Sequence, residues 1–232
     1  MVTSDSKLMR ARRETRLVSA LLGIAAYGLM VRPWLLDWGA TRQESEGPLL
    51  GDDLIAVPDL VATRAITIRA SADQVWPWIA QLGQGRGGFY SYDVLENLLG
   101  CDIHSANRIV ADWQDVAVED EVKLFPEGPL RVAALEAGRS LVIRGGVSMG
   151  NIPPPYDFTW AFALREQPNG TTRLLVRERY AYSRWWAPLL VEPAAAVSFV
   201  MSRKMLRGIK DRAEHSAPPV GNMARQESGQ TS

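Results

Sequence analysis

The chain has 232 residues, room for one sizeable domain with extensions but cramped for two. Hydrophobic residues make up 47% and charged residues 22%, so a real core is available and wholesale disorder is excluded. The 26 basic and 26 acidic residues cancel, which leaves no nucleic-acid footprint, and the one cysteine, Cys101, excludes an internal disulfide framework.

Residues 1–16 form a basic segment in which Lys7, Arg10, Arg12, Arg13 and Arg16 concentrate positive charge. Leu17–Val31 then runs without a charge and, as a helix, rises about 22 Å, short of a hydrocarbon core of about 30 Å. Extension to Leu36 supplies the length, with Arg32 near the end, where its side chain can snorkel, and Trp34 and Trp38 at interfacial depth. A transmembrane helix is therefore expected over 17–36. A cleaved signal peptide, or a helix buried in the domain or lying in the interface, are the alternatives. Asp37, Glu44, Glu46, Asp52 and Asp53 follow the apolar run and contrast in sign with the basic flank. The positive-inside rule then predicts a single-pass membrane protein with a cytoplasmic N-terminus and the folded domain outside the cytoplasm.

Residues 37–62, rich in Gly, Pro and acids, read as a linker, and a folded domain is expected over 63–213. Arg64–Arg69 alternates, with Ile66 and Ile68 on one face of a strand. Ser71 and Gln74 form a capping box for a helix carrying Val75, Trp76, Trp78, Ile79 and Leu82, with Pro77 expected to bend or shorten it and Gly83 to end it. A glycine-rich loop leads to a second helical pattern over Tyr90–Leu99. Strands are predicted at Glu121–Phe125, Leu130–Glu136, Leu141–Arg144, Tyr156–Arg165 and Thr171–Tyr182, the last two joined by a hairpin at Asn169-Gly170. A long amphipathic helix follows from Pro193 to about Ala213, with the stripe Leu190, Ala194, Val197, Met201 and Met205, and 214–232 reads as a disordered tail. The order predicts an α+β fold, a twisted antiparallel sheet with the last helix across its concave side.

Alternation assigns the faces of the two long strands. Tyr156, Phe158, Trp160, Phe162 and Leu164 point inward, as do Leu174, Val176, Glu178, Tyr180 and Tyr182. Arg173, Arg177 and Arg179 then fit a solvated outer face. The inward aromatic wall suits core packing or a pocket lining, and the inward Glu178 needs a partner or water.

From Thr63 onward the chain resembles the START-like (helix-grip) superfamily, also called SRPBCC or polyketide cyclase/dehydrase-like. Ile66-Thr-Ile-Arg-Ala-Ser-Ala-Asp-Gln-Val-Trp-Pro-Trp-Ile79 is similar to the superfamily's first strand and following helix. Gln81–Asp93, Leu95–Gly100, Asp102-Ile-His104 and Trp38-Gly-Ala-Thr41 resemble a bacterial, membrane-anchored subgroup. The resemblance implies a helix-grip fold: a curved antiparallel sheet wrapped around a long C-terminal helix, here preceded by an N-terminal hydrophobic helix. It also implies binding, transport or sensing of a hydrophobic small molecule or lipid in an internal cavity at a membrane. The ligand-pocket candidates are Trp78, Phe89, Tyr90, Tyr92, His104, Phe158, Trp160, Phe162, Glu178, Tyr180, Val197 and Met201. A cyclase- or dehydrase-type enzyme using His104 with Asp93, Glu96, Asp102 or Glu178, and a membrane-associated interaction module, are the alternatives.

No cofactor is expected. Gly83-Gln-Gly85-Arg-Gly87-Gly88 follows a helix rather than a strand, so it reads as a tight loop needing positive φ, not a dinucleotide fingerprint. Cys101 and His104 are too few for zinc, and Cys101 has no motif of nucleophilic catalysis around it, so no metal or catalytic residue is assigned.

Overall fold

The computed structural model describes residues 18, 19, 22, 23, 25–98, 100–124, 130–146 and 153–216. The basic N-terminal segment, Phe125 and the tail beyond Ser216 lie outside the described residues. Six strands form one antiparallel sheet: β1 (Leu60–Ile68), β2 (Glu121–Val122), β3 (Leu130–Glu136), β4 (Ser140–Gly145), β5 (Tyr156–Glu166) and β6 (Thr172–Tyr182), in spatial order β1-β6-β5-β4-β3-β2. The short helices α1 (Arg32–Leu36) and α2 (Arg42–Glu46) precede β1. Two more, α3 (Ala72–Ala80) and α4 (Asp93–Leu98), follow it, and α5 (Ala187–Ser216) closes the fold. The sheet wraps the long final helix, which is the helix-grip architecture expected.

Local chemistry accounts for the elements. The β5–β6 hairpin turns where Gly170 takes φ 77° and donates to the Gln167 carbonyl at 3.0 Å. In α3 the Ser71–Gln74 capping box forms as predicted, and the helix continues through Pro77, with Trp78, Ile79 and Ala80 buried beyond it. The inward faces of β5 and β6 are those that alternation predicts: Phe158, Trp160, Phe162, Leu164, Leu174, Val176 and Tyr180 all join the main core.

The membrane span is overturned. Among the described residues, no helix is long and apolar enough to cross a membrane. The described part of the segment passes from a π-helical turn, Tyr27–Val31, into α1, which ends at Leu36. The part expected at the membrane surface instead docks on the domain. Arg32 pairs with Glu192 of α5 at 2.7 Å, the Trp34 ring lies 5.1 Å from Phe199, and Leu36 and Trp38 pack on the main core. A helix end tied to the domain by an ion pair and tilted ring contacts is not the end of a lipid-embedded span. The membrane-anchored subgroup, the membrane partner and the single-pass location fall with it.

The outer face of β6 also differs from expectation. Arg173, Arg177 and Arg179 are not solvated, because residues 39–55 lie across them. Arg177 is 2% exposed and donates to the carbonyls of Glu44, Ser45 and Gly47, to Asp52 and to Thr63. Arg173 pairs with Glu44 at 2.7 Å and Arg179 with Asp52 at 3.2 Å. The segment that reads as a linker is thus bound to the sheet by arginines, with Ala40 and Leu49 packed on Ala65, Ala163 and Leu175.

Helix α5 begins at Ala187, six residues before Pro193. Its buried stripe is Val191, Ala195, Phe199, Ser202, Met205, Leu206, Ile209 and Ala213, rotated from the predicted one so that Val197 is 62% exposed. The rotation has a polar cause: Ser198 and Ser202 turn toward Glu178 of β6.

Candidate functional site

The centre of the concave face is charged. Glu178 sits mid-strand in β6 with Ala62 and Trp160 as its neighbours in β1 and β5. Arg64, two residues on from Ala62, projects from the same face because side chains repeat every second residue. Its Nη1 donates to Glu178 Oε1 at 2.7 Å, and the two side chains are 0% and 2% exposed. The same oxygen accepts from Ser198 Oγ at 2.6 Å and Ser202 Oγ at 3.1 Å, while Oε2 faces the Tyr180 hydroxyl at 3.4 Å. Arg64 Nε donates to the Leu35 carbonyl at 3.2 Å, and its guanidinium stands 5.9 Å from the Phe199 ring centre.

Such a pair loses hydration on both ions, and its mutual attraction only offsets that loss when the remaining lone pairs are satisfied. Here the carboxylate is well served by hydroxyls. The donors around it are not: Arg64 Nη2 and Trp160 Nε1 are buried without a hydrogen-bond partner among the described residues. Burial pushes the Tyr180 phenol well above its ordinary range, and the adjacent Glu178 charge and Tyr156 add to this, so the hydroxyl stays protonated.

An aromatic wall adjoins this cluster. Phe158 and Tyr180 rings lie 4.7 Å apart, Trp160 and Phe162 4.9 Å, and Phe89 and Trp160 5.8 Å. On this face Phe158, Trp160 and Tyr180 keep 8–9% exposure and Leu164 keeps 7%, whereas Phe162, Val176 and Leu174 keep 1% or less. Part of the residual surface therefore lies on the wall beside Glu178.

The other sequence candidates divide. Phe89 joins the wall. Trp78 and Tyr90 are buried behind it, edge to face at 5.8 Å, with the Tyr90 oxygen accepting from Gln81 Nε2 at 2.8 Å. Tyr92 is half-exposed on an outer groove, and Val197 faces away. Met201 is half-buried and accepts from Ser91 through its carbonyl at 3.3 Å. His104 is exposed, and its ring stands 3.7 Å from an equally exposed Asp102, outside the interior. Asp93 is engaged elsewhere, accepting from the Ser105 hydroxyl at 2.6 Å and its amide at 2.8 Å. Of the acid/base partners considered for His104, the structure brings Asp102 to it, at the surface. The glycine-rich loop closes on itself through paired Gly83–Gly88 backbone bonds of 3.0 and 3.1 Å.

Two features lie apart from the concave face. A groove of about 470 Å³ runs between α4 and α5, bordered by Tyr92, Asp93, Leu95, Lys204, Asp211 and Arg212. Glu96, on the inner side of α4, is buried, and desolvation with the nearby Asp93 charge raises its carboxyl to about 7 against a hydrogen bond from Ser91.

Three central residues, Arg64, Ser198 and Ser202, were not among the sequence candidates. Arg64 was detectable, since it shares strand parity with Ile66 and Ile68. The serines carried no sequence signal, because small hydroxyl residues at helical spacing resemble a solvated face.

No protein family and no curated protein matches the chain. Solved structures resemble it at low identity and with TM-scores below 0.5. Protein Ms6760 from Mycobacterium smegmatis is 17% identical over 66% of this chain and 89% of its own, with a TM-score of 0.43. CalU16 from Micromonospora echinospora is 18% identical over 67% and 84%, with a TM-score of 0.34. Norcoclaurine synthase from Thalictrum flavum is 13% identical over 66% and 84%, with a TM-score of 0.40.

Proposed function

We propose that the chain binds an apolar small molecule between the concave face of the sheet and α5. Phe89, Phe158, Trp160 and Tyr180 form the apolar wall, and the Arg64–Glu178 pair sits at the polar end. One observation carries the reading: a fully buried ion pair, with donors left over, is set into an aromatic wall that retains surface at that same point. A site that served packing alone would be filled at less expense by apolar side chains. Solvent extraction of the purified full chain, followed by mass spectrometry, tests it. A recurring apolar compound at near-stoichiometric amount is expected. Repeatedly empty protein, together with no thermal stabilisation by any of a panel of apolar compounds, refutes it.

A second reading places proton-transfer chemistry of the cyclase or dehydrase type at the same point. It is favoured by Tyr180 and Glu178, a protonated phenol and a carboxylate 3.4 Å apart in the interior. Tyr180→Phe then abolishes turnover of the extracted compound while retaining its binding. Undiminished turnover in that variant excludes Tyr180 as the proton donor.

A further inference from the structure

We infer that the molecule received on the concave face presents a neutral carbonyl-type acceptor, which the Nη2 hydrogens of Arg64 and the Nε1 hydrogen of Trp160 hold. The inference rests on the binding reading above and adds the chemistry of the ligand's polar end.

The donors and acceptors of the cluster do not balance. Glu178 Oε1 already accepts from Arg64, Ser198 and Ser202, and Oε2 faces the Tyr180 hydroxyl. A ligand bringing a donor, such as a hydroxyl or amine, meets acceptors that are already served. On the donor side, Arg64 directs Nε to Leu35 and Nη1 to Glu178, which leaves Nη2 without a partner among the described residues. Trp160 Nε1 is in the same condition. Both groups are buried, and a buried donor without an acceptor is unfavourable.

Both donors belong to the cluster around Glu178. Trp160, in β5, is the register neighbour of Glu178, and Arg64, in β1 opposite Val176, reaches Glu178 through its Nη1. Neighbouring strands are about 4.8 Å apart, so the β1 and β5 backbones are separated by about 10 Å across β6.

Charge selects the acceptor further. The guanidinium of Arg64 is neutralised by Glu178, so the cluster offers no net positive charge to an anion. A ligand carboxylate would also lie against the Glu178 carboxylate in a site where screening is weak. A ketone, ester, lactone or quinone oxygen meets the two donors without that repulsion.

Calorimetric titration of the full chain with three probes of similar frame tests the inference: diphenylmethane, benzophenone and diphenylacetate. Benzophenone is expected to bind about tenfold more tightly than diphenylmethane, the ratio a hydrogen bond to buried donors confers. Diphenylacetate is expected to bind more weakly than benzophenone. Trp160→Phe, which keeps a ring but deletes the indole N–H, is expected to reduce the benzophenone-to-diphenylmethane ratio by at least about threefold. Equal affinity of wild-type protein for benzophenone and diphenylmethane overturns the inference and leaves interior binding standing. Tightest binding of diphenylacetate overturns the neutral-acceptor assignment. Binding of none of the three refutes interior binding and this inference with it.

Discussion

Arg177→Met removes the centre of the contact between residues 39–55 and the sheet. All five N–H donors of Arg177 are used: Nε on Thr63 at 2.9 Å, Nη1 on Gly47 at 2.9 Å and Asp52 at 2.6 Å, Nη2 on Glu44 at 2.8 Å and Ser45 at 2.9 Å. Three of those acceptors are carbonyls at the C-terminal end of α2, groups that a helix leaves without an internal partner. Methionine fills much of the volume but supplies no donor, and it leaves Asp52 with Arg179 as its remaining cation at 3.2 Å.

Hydrogen bonds to charged groups contribute about 1.5–3 kcal/mol each, and they do not add. Breaking a buried pair by removing one partner costs about 3–5 kcal/mol. The segment has an escape, however, because it can lift from the sheet and return its carbonyls to water. That bounds the loss near the lower value, so Arg177→Met is expected to destabilise by about 3 kcal/mol, a large share of the 5–15 kcal/mol that holds a domain together. Urea unfolding reads the global loss, and amide hydrogen exchange reads its location. Protection is expected to fall over residues 41–55 and to persist in β5. Arg177→Lys keeps the charge but not the planar fork, and is expected to recover less than half of the loss. A midpoint equal to wild type, with exchange over 41–55 unchanged, would refute the claim that this arginine holds the segment down.

Gly208→Ala places a Cβ 2.9 Å from Tyr90 Cβ and closer still to the Tyr90 carbonyl, so a loss of about 1–3 kcal/mol in thermal or urea unfolding is expected despite alanine's better helix propensity. Glu44, held at about 2 by its bond from Arg173, has a folded pKa below its unfolded value; the stability it contributes is present above about pH 4.5 and is lost as pH falls toward 2. Glu44→Gln is expected to flatten the acid limb of a stability–pH curve in part only. Glu214 titrates in the same window, where burial is outweighed by Lys210 and the Arg69 amide and guanidinium to bring it to about 2. Glu96 has the opposite sign: its carboxyl, raised to about 7, keeps full stability below about pH 4.5 and loses it as pH rises to about 7. Glu96→Gln is therefore expected to match wild type in urea midpoint at pH 4 and exceed it at pH 8; equal midpoints at both would remove the case for a desolvated carboxyl.

The sheet was legible because period-two alternation is a local signal and the two long strands each repeat it over several turns of the pleat. Phe158, Trp160 and Phe162 could face only one way once Asp157 and Thr159 faced the other. The long helix was legible in existence but not in rotation. Its true stripe passes through Ser202 and beside Ser198, and no hydrophobic count favours a serine over Val197 until Glu178 is known to lie opposite. The apolar N-terminal run misled for a related reason: hydropathy is read without partners, while Arg32 and Trp34 are placed by Glu192 and Phe199, some 160 residues away along the chain.

The outer-face arginines misled in the same manner, and their positions explain why the segment before β1 matters to the candidate site. Arg64 and Arg177 come from paired strands, one residue apart in register: Arg177 stands opposite Thr63, and Arg64 opposite Val176. They point to opposite faces of the sheet, and each is completed by backbone carbonyls from before β1. Leu35 serves Arg64 on the concave side; Glu44, Ser45 and Gly47 serve Arg177 on the convex side. Residues 35–47 thus wrap the β1 edge of the sheet, covering backbone that would otherwise be an unpaired edge strand. The guanidinium of Arg64 is oriented by the Leu35 carbonyl on one nitrogen and Glu178 on another, which leaves Nη2 without a partner among the described residues. The N-terminal segment is therefore part of what aims the polar end of the candidate site.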